Sequence, residues 1–209
     1  FKTKYYEQDF YVASNNFSAY KLIESWPKWP GNWLNIFGST GSGKTHLSKI
    51  LEKKIGKVKL IEASAIDDKI IQDLNNVNCL IIDNFRNNIK EKLFYSILNQ
   101  SKQLENYIVI TSIDPINKLK HRLPDLKSRI DSFVFIGIEL PTDDLLQVII
   151  SKSFSDKQIN LDPKISNFII KNVERSYEKM FKFLKDVDEL SLSTGKAINI
   201  NLIKKVLNQ

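Results

Sequence analysis

Cysteine is nearly absent: the 209 residues contain one, Cys79, beside one methionine and two histidines. A single thiol closes no internal disulfide, and Cys79 stands in an apolar run (79–82), so it reads as core filler. His46 and His121 have no cysteine or second histidine at ligand spacing, which argues against a metal site built on them. No Ser-His-Asp grouping can be argued. An uninterrupted apolar run of roughly 18 residues, the length of a membrane-spanning helix, is missing. The start, Phe-Lys-Thr-Lys-Tyr-Tyr-Glu, has no apolar core of the kind a secretory signal needs. The expected location is therefore the cytoplasm. Internal repeats and low-complexity segments are lacking too.

What remains is an ordinary globular composition, 42% hydrophobic and 26% charged, enough for one domain with an appendage or two small ones. A net charge of +7 and a pI near 9.3 invite a nucleic-acid reading. The lysines, however, are spread along amphipathic segments, and solvated helix faces explain most of them.

The most informative stretch is 33–50, an apolar strand, a glycine-rich turn and an amphipathic helix. Within it Gly38, Gly43, Lys44 and Thr45 fit G-x-x-x-x-G-K-[ST] in the strand-before, helix-after context the pattern requires. Glycines let backbone N–H groups turn inward around an anion, and the helix start adds unpaired donors and partial positive charge. The turn Gly38, Ser39, Thr40, Gly41, Ser42, Gly43, with Lys44, Thr45 and His46, is thus the predicted cradle for ATP or ADP. Lys44 is assigned to the β/γ-phosphates and the Thr45 hydroxyl to Mg²⁺.

Around that turn the pattern alternates. Residues 9–26 read as an extended piece and a helix burying Phe17, Tyr20, Leu22 and Ile23, with Trp26, Trp29 and Trp33 packed as core or rim. A helix at about 44–55, a strand at 58–62, a short helix at 67–74 and a fully buried strand at 79–83 follow. Next come an amphipathic helix at 89–104 through Leu93, Ile97, Leu98 and Leu104, then strands at 107–111 and 133–138. Strands alternating with helices argue a parallel sheet covered on both faces. From Pro141 only helical signals remain: starts at Thr142, at Asp162-Pro163 and at Asn199 or Asn201, and a stripe of Met180, Phe183, Leu184, Val187 and Leu190 ending near Gly195. The predicted organisation is an α/β P-loop unit with a three-layer parallel sheet at 1–140 and a small all-helical lid at 141–209.

Other residues invite chemistry. Asp83 ends a buried strand downstream of the P-loop, where P-loop ATPases place the acid that holds Mg²⁺ through water. Asn84 follows, where a self-sufficient ATPase of this architecture has a second carboxylate; an amide cannot take the proton of the attacking water, so slow turnover is expected. Thr111 or Ser112 offers a hydroxyl to a γ-phosphate or to backbone. Asp114, before Pro115, reads as an N-cap. Arg129, in a basic stretch before the last strand, lies at the sheet edge, available to a neighbour's site.

Taken together, Gly-Ser-Thr-Gly-Ser-Gly-Lys-Thr-His-Leu (38–47), Ile-Ile-Asp-Asn (81–84), Ile-Thr-Ser (110–112) and Leu-Pro-Asp-Leu-Lys-Ser-Arg (123–129) resemble the AAA+ family of the replication initiator DnaA, and within it the short Hda-type members. The resemblance covers nearly the whole chain. It implies a nucleotide-bound regulator that docks on the DNA-loaded sliding clamp and makes DnaA hydrolyse its ATP. Arg129 matches the family's arginine finger, which acts in trans. Three departures accompany it. Residues 1–8 lack the family's clamp-binding pattern, so Phe1 is read as the last residue of a trimmed motif. The lid arginine that touches nucleotide in DnaA corresponds to Arg175 or Lys179. Ile113 replaces an acidic sensor. No duplex-reading helix-turn-helix segment follows the lid in the residues given, so direct duplex reading is not expected; a homo-oligomer stays open. The competing readings are a DnaC-like helicase loader or DnaA-type ATPase on single-stranded DNA and, less well matched, a small-molecule kinase.

Overall fold

The computed structural model describes residue 10 and residues 12–208. They form two compact units, one ending at Glu139 and the other beginning at Leu140.

In the first unit the elements run α1 (Phe17–Glu24), β1 (Trp33–Phe37), α2 (Lys44–Lys54), β2 (Val58–Glu62), α3 (Ile70–Asp73), β3 (Cys79–Phe85), α4 (Glu91–Gln103), β4 (Tyr107–Ser112), α5 (Pro124–Ile130) and β5 (Val134–Gly137). The strands pair in the order β2-β3-β4-β1-β5, all parallel. Parallel strands need crossovers, and here helices fill them and cover both faces.

The two-residue period of the strands sorts the core. Leu80, Ile82, Ile108 and Ile110 face one side, against Phe94, Ile97 and Leu98 of α4 and Leu126 and Ile130 of α5. Leu34, Ile36, Cys79, Ile81 and Val109 face the other, against Ile23 of α1 and Leu47, Ile50 and Leu51 of α2. Burying each such side chain contributes about 1.5–3 kcal/mol. Cys79 is core filler as expected: it is fully buried, and burial pushes its thiol pKa up to about 12.

One polar residue interrupts β1. Asn35 is wholly buried, and its amide donates to Ile110 O and Ser112 Oγ while its oxygen accepts from Ile116 N–H. It anchors the loop after β4 to the sheet, so its burial is compensated.

Several expected boundaries shift. Phe17 is 49% exposed because α1 packs through Ala19 and Ile23 instead. Leu104 lies beyond the last turn of α4, whose buried face is Phe94, Ile97, Leu98 and Ser101. The helix expected at 67–74 is α3 followed by a single 3₁₀ turn, Leu74–Asn76. The helix α5 was not expected: Pro124 at its first position supplies a start, but seven residues are too few to show a period. Trp26 and Trp29 pack edge-on against Tyr107, and Trp33 against Phe133, as rim and core.

The second unit holds α6 (Asp143–Ser155), α7 (Pro163–Asn172), α8 (Tyr177–Thr194) and α9 (Ile200–Leu207). Each has a side-chain cap: Thr142, Asp162, Ser176 and Asn199 accept from N–H groups of the first turn. Gly195 closes α8 in the left-handed conformation. Leu146, Ile150, Phe154, Ile169, Met180, Leu184, Val187 and Ile203 are buried here. No helix among the described residues is long and apolar enough to cross a membrane.

Candidate functional site

The carboxyl ends of β1, β3 and β4 lie side by side, and the loop leaving β1 turns into α2 above them. Gly38 opens that loop at φ 154°, and a Cβ there would stand 2.2 Å from the Ile138 carbonyl oxygen, so only glycine fits. Its N–H is shared between the carbonyls of Ser112 and Ile113, at 3.1 and 3.0 Å. Gly41 and Gly43 also have positive φ, at 76° and 100°. Gly43 is the N-cap of α2 and has no side chain to occupy the first-turn N–H groups, and no acid stands in that turn. The result is a concavity of backbone donors at a helix start, the electrostatics of an anion cradle.

Lys44 folds back over this loop, its ammonium donating to Gly38 O at 2.6 Å and Ser39 O at 2.8 Å. Burial holds its pKa below the ordinary lysine value of 10.5; Asp83 pulls it up and Arg86 pushes it further down. Ser42 is buried beneath the loop, whereas Ser39 and Thr40 are exposed. His46 is set edge-on against Phe10, with ring centroids 5.2 Å apart.

Asp83 and Thr111 come together because the β3/β4 register places them opposite each other on the α2 side of the sheet. Thr45 Oγ1 donates to Asp83 Oδ2 at 2.9 Å, and Thr111 Oγ1 donates to Asp83 Oδ1. Asp83, 4% exposed, is thus held in place by two hydroxyls. It does not end the strand as expected: β3 continues to Phe85. Asn84 adopts φ 59° and sends its N–H to Thr111 Oγ1 at 2.8 Å, which shifts the register so that Phe85 faces Ser112. The bulge turns the Asn84 side chain to solvent, where its amide oxygen accepts from Arg86 Nε at 3.1 Å.

Ser112 is committed to backbone, donating to Asp114 O at 2.7 Å. Asp114 caps nothing with its side chain; Pro115 is the N-cap residue of the next turn, which has no side-chain cap, correcting the expectation. Arg129, on the last turn of α5, is half-buried, and its Nη2 donates to Asn99 Oδ1 on α4 at 3.0 Å. Among the described residues no carboxylate pairs with it. In the second unit, Arg175 pairs with Asp143 at 2.8 Å, both largely exposed, and Lys179 is exposed with its N–H bonded to Ser176 Oγ.

The donor set fits a phosphate chain. Thr45 and Asp83 supply oxygen ligands of the kind a hard divalent ion takes together with water and phosphate. Among the described residues no group of three or more His, Cys, Asp and Glu could hold a metal by itself. Residues 1–8, where a clamp-binding peptide was sought, lie outside the described residues. Sequence reasoning missed Asn35, Arg86, Glu91 and Asn99. Asn35 alone carried a signal, as a polar residue inside an apolar strand.

A parallel sheet in this order, with a P-loop leaving β1 and an acid on β3 across the intervening β4, defines a P-loop module of AAA+ architecture. Residues 143–207 match the family model described as "Hda, lid domain". Over 99% of its length the chain is 29% identical to the chromosomal replication initiator protein DnaA of Buchnera aphidicola subsp. Baizongia pistaciae, of which it covers 51%. The chain thus spans about half the length of the curated relatives it matches. Among solved structures, domain III of Thermotoga maritima DnaA superposes with a TM-score of 0.80 at 21% identity, covering 96% of this chain and 94% of that one. AMPPCP-bound DnaA from Aquifex aeolicus superposes with a TM-score of 0.70 at 21% identity, covering 87% and 64%. The chain has the AAA+ fold, and its sequence is similar to DnaA over nearly its whole length and to the Hda lid over residues 143–207.

Proposed function

We propose that this protein is a nucleotide-bound regulator of replication initiation that uses Arg129 to stimulate ATP hydrolysis by DnaA, together with the DNA-loaded sliding clamp. The observation that carries the reading is the state of Arg129. Its guanidinium is held by a neutral amide and neutralised by no carboxylate among the described residues, so its charge is free to act on a partner's phosphates. A trans-acting arginine can raise phosphoryl-transfer rates by several orders of magnitude.

The protein's own site supports the complementary half. Gly38, Gly41, Gly43 and Lys44 would hold the phosphates of ADP or ATP, and Thr45 and Asp83 are the residues that would hold Mg²⁺. When bound, Mg²⁺ supplies charge neutralisation between phosphate oxygens. Asn84 cannot deprotonate water, which leaves nucleotide binding as a conformational condition rather than an efficient reaction. The Hda lid match supports the regulator over a DnaA-type initiator. Arg175 and Lys179 are the lid's candidates for a nucleotide contact.

The test is Arg129→Ala in a reconstituted assay of DnaA, clamp-loaded DNA and this protein. ADP binding stays within about twofold, while stimulation of DnaA hydrolysis falls by at least about 100-fold. Retained stimulation removes Arg129 from the mechanism. Hydrolysis by the isolated protein that single-stranded DNA strongly accelerates favours the loader or DnaA-type reading instead.

A further inference from the structure

Two residues past Asn84 stands a cation that neither the P-loop pattern nor the finger accounts for. Arg86 Nε donates to Asn84 Oδ1 at 3.1 Å, and Arg86 N–H donates to Asn88 Oδ1 at 3.2 Å, so both its backbone and its guanidinium are tied down at the mouth of the β3 end. No salt bridge to Arg86 is present among the described residues. Its charge reaches Lys44, whose ammonium it disfavours. Lys44 and Arg86 are thus two like charges close enough to act on each other, and Asp83, the carboxylate that favours the Lys44 ammonium, is already gripped by Thr45 and Thr111. Such an arrangement is repulsive on its own and becomes favourable once an anion joins it.

We propose that Arg86, oriented by Asn84, is an additional phosphate-binding residue for the nucleoside di- or triphosphate held by this chain. The inference rests on the nucleotide-binding reading of the P-loop. The position after Asp83 thereby changes its task. Where a carboxylate would activate water and repel phosphate, the amide at 84 accepts a hydrogen bond from a guanidinium and aims it. The remaining guanidinium N–H groups are free to donate to phosphate oxygen, a charge-assisted and bidentate-capable contact. The bulge at Asn84 is what makes this possible: φ 59° suits asparagine better than most residues, and it turns the side chain out of the sheet toward Arg86. Part of the charge neutralisation normally left to the metal then comes from the protein, so retention of nucleotide depends less on Mg²⁺.

The experiment is a titration of the intact protein with fluorescent ADP and ATP analogues, in Mg²⁺ and in EDTA, for wild type, Arg86→Ala, Arg86→Lys and Lys44→Ala. Arg86→Ala weakens binding about tenfold in Mg²⁺ and more in EDTA, and it reduces the salt dependence of binding. Arg86→Lys recovers part of the loss, because charge returns without the planar fork. Circular dichroism of each variant in the absence of nucleotide reports folding separately. Unchanged affinity for Arg86→Ala in both buffers, with binding abolished by Lys44→Ala, overturns the role of Arg86 and leaves the P-loop reading standing. Unchanged affinity for Lys44→Ala, or no binding by the folded wild type, removes the nucleotide-binding reading itself.

Discussion

Asn99 is a neutral partner for Arg129, and its neutrality matters. An amide orients a guanidinium without cancelling the charge that a transition state needs, whereas an aspartate at the same place would orient and neutralise together. Asn99→Ala is therefore expected to lower the maximal rate of stimulated DnaA hydrolysis by about tenfold, with little change in the concentration of this protein needed for half the effect. A steady-state titration separates the two, and an unchanged maximal rate shows that Arg129 orients without help. Lys44 gives a residue-scale prediction in pH. Burial lowers its pKa, so below that pKa the fold carries the cost of a buried ammonium, and the cost is relieved as pH rises through it. A bound phosphate reverses the preference and favours the ammonium. Nucleotide affinity should fall as pH rises through the lowered Lys44 pKa, before an ordinary lysine would titrate. Proton uptake on binding, from calorimetry in buffers of different ionisation enthalpy, measures it.

Elements, rather than residues, decide where Arg129 sits. The helix α5 has no side-chain cap of its own, and Glu91, at the start of α4, takes the N–H groups of Arg122 and Leu123 at 2.7 and 3.1 Å. One carboxylate thus fixes the entry of the helix that carries Arg129 against the helix that holds Asn99. Glu91→Ala leaves two donors without their partner and should cost about 1–3 kcal/mol in chemical denaturation, together with a loss of stimulation that Glu91→Gln partly restores. None of this was legible in the sequence, because the pairing joins residues far apart in the chain and α5 is too short for periodicity. The long buried strands were legible, since β3 and β4 consist of apolar runs with no competing pattern. The P-loop was legible because its chemistry is local. The bulge after Asp83 was not: nothing in Ile-Asp-Asn-Phe announces that Asn84 will leave the ladder and lend its side chain to Arg86. The Thr111 contact to Asp83 depends on register, which only the folded sheet sets.

At the scale of the whole chain, a ligand that binds only the folded state adds RT ln(1 + [L]/Kd) to its stability, about 2.7 kcal/mol at a concentration of 100 Kd. For a chain of this size each kcal/mol is worth about 2–4 °C, so ADP near that concentration should raise the melting transition by about 5–10 °C. The P-loop lies in the unit ending at Glu139, and if the two units melt separately the rise belongs to the transition of that one. Arg86→Ala makes the prediction sharper, because the two states respond in opposite senses. Without nucleotide, removing Arg86 takes away a charge that opposes Lys44, so the variant should melt at or slightly above the wild-type temperature. With nucleotide at the same concentration, a tenfold weaker Kd removes about 1.4 kcal/mol of the added stability, roughly half of it. Scanning calorimetry of both proteins with and without ADP reads all four values. A variant destabilised equally in both conditions would make Arg86 a structural residue, whereas a smaller ligand-dependent shift on an undamaged ligand-free protein follows only if its charge is directed at the phosphates.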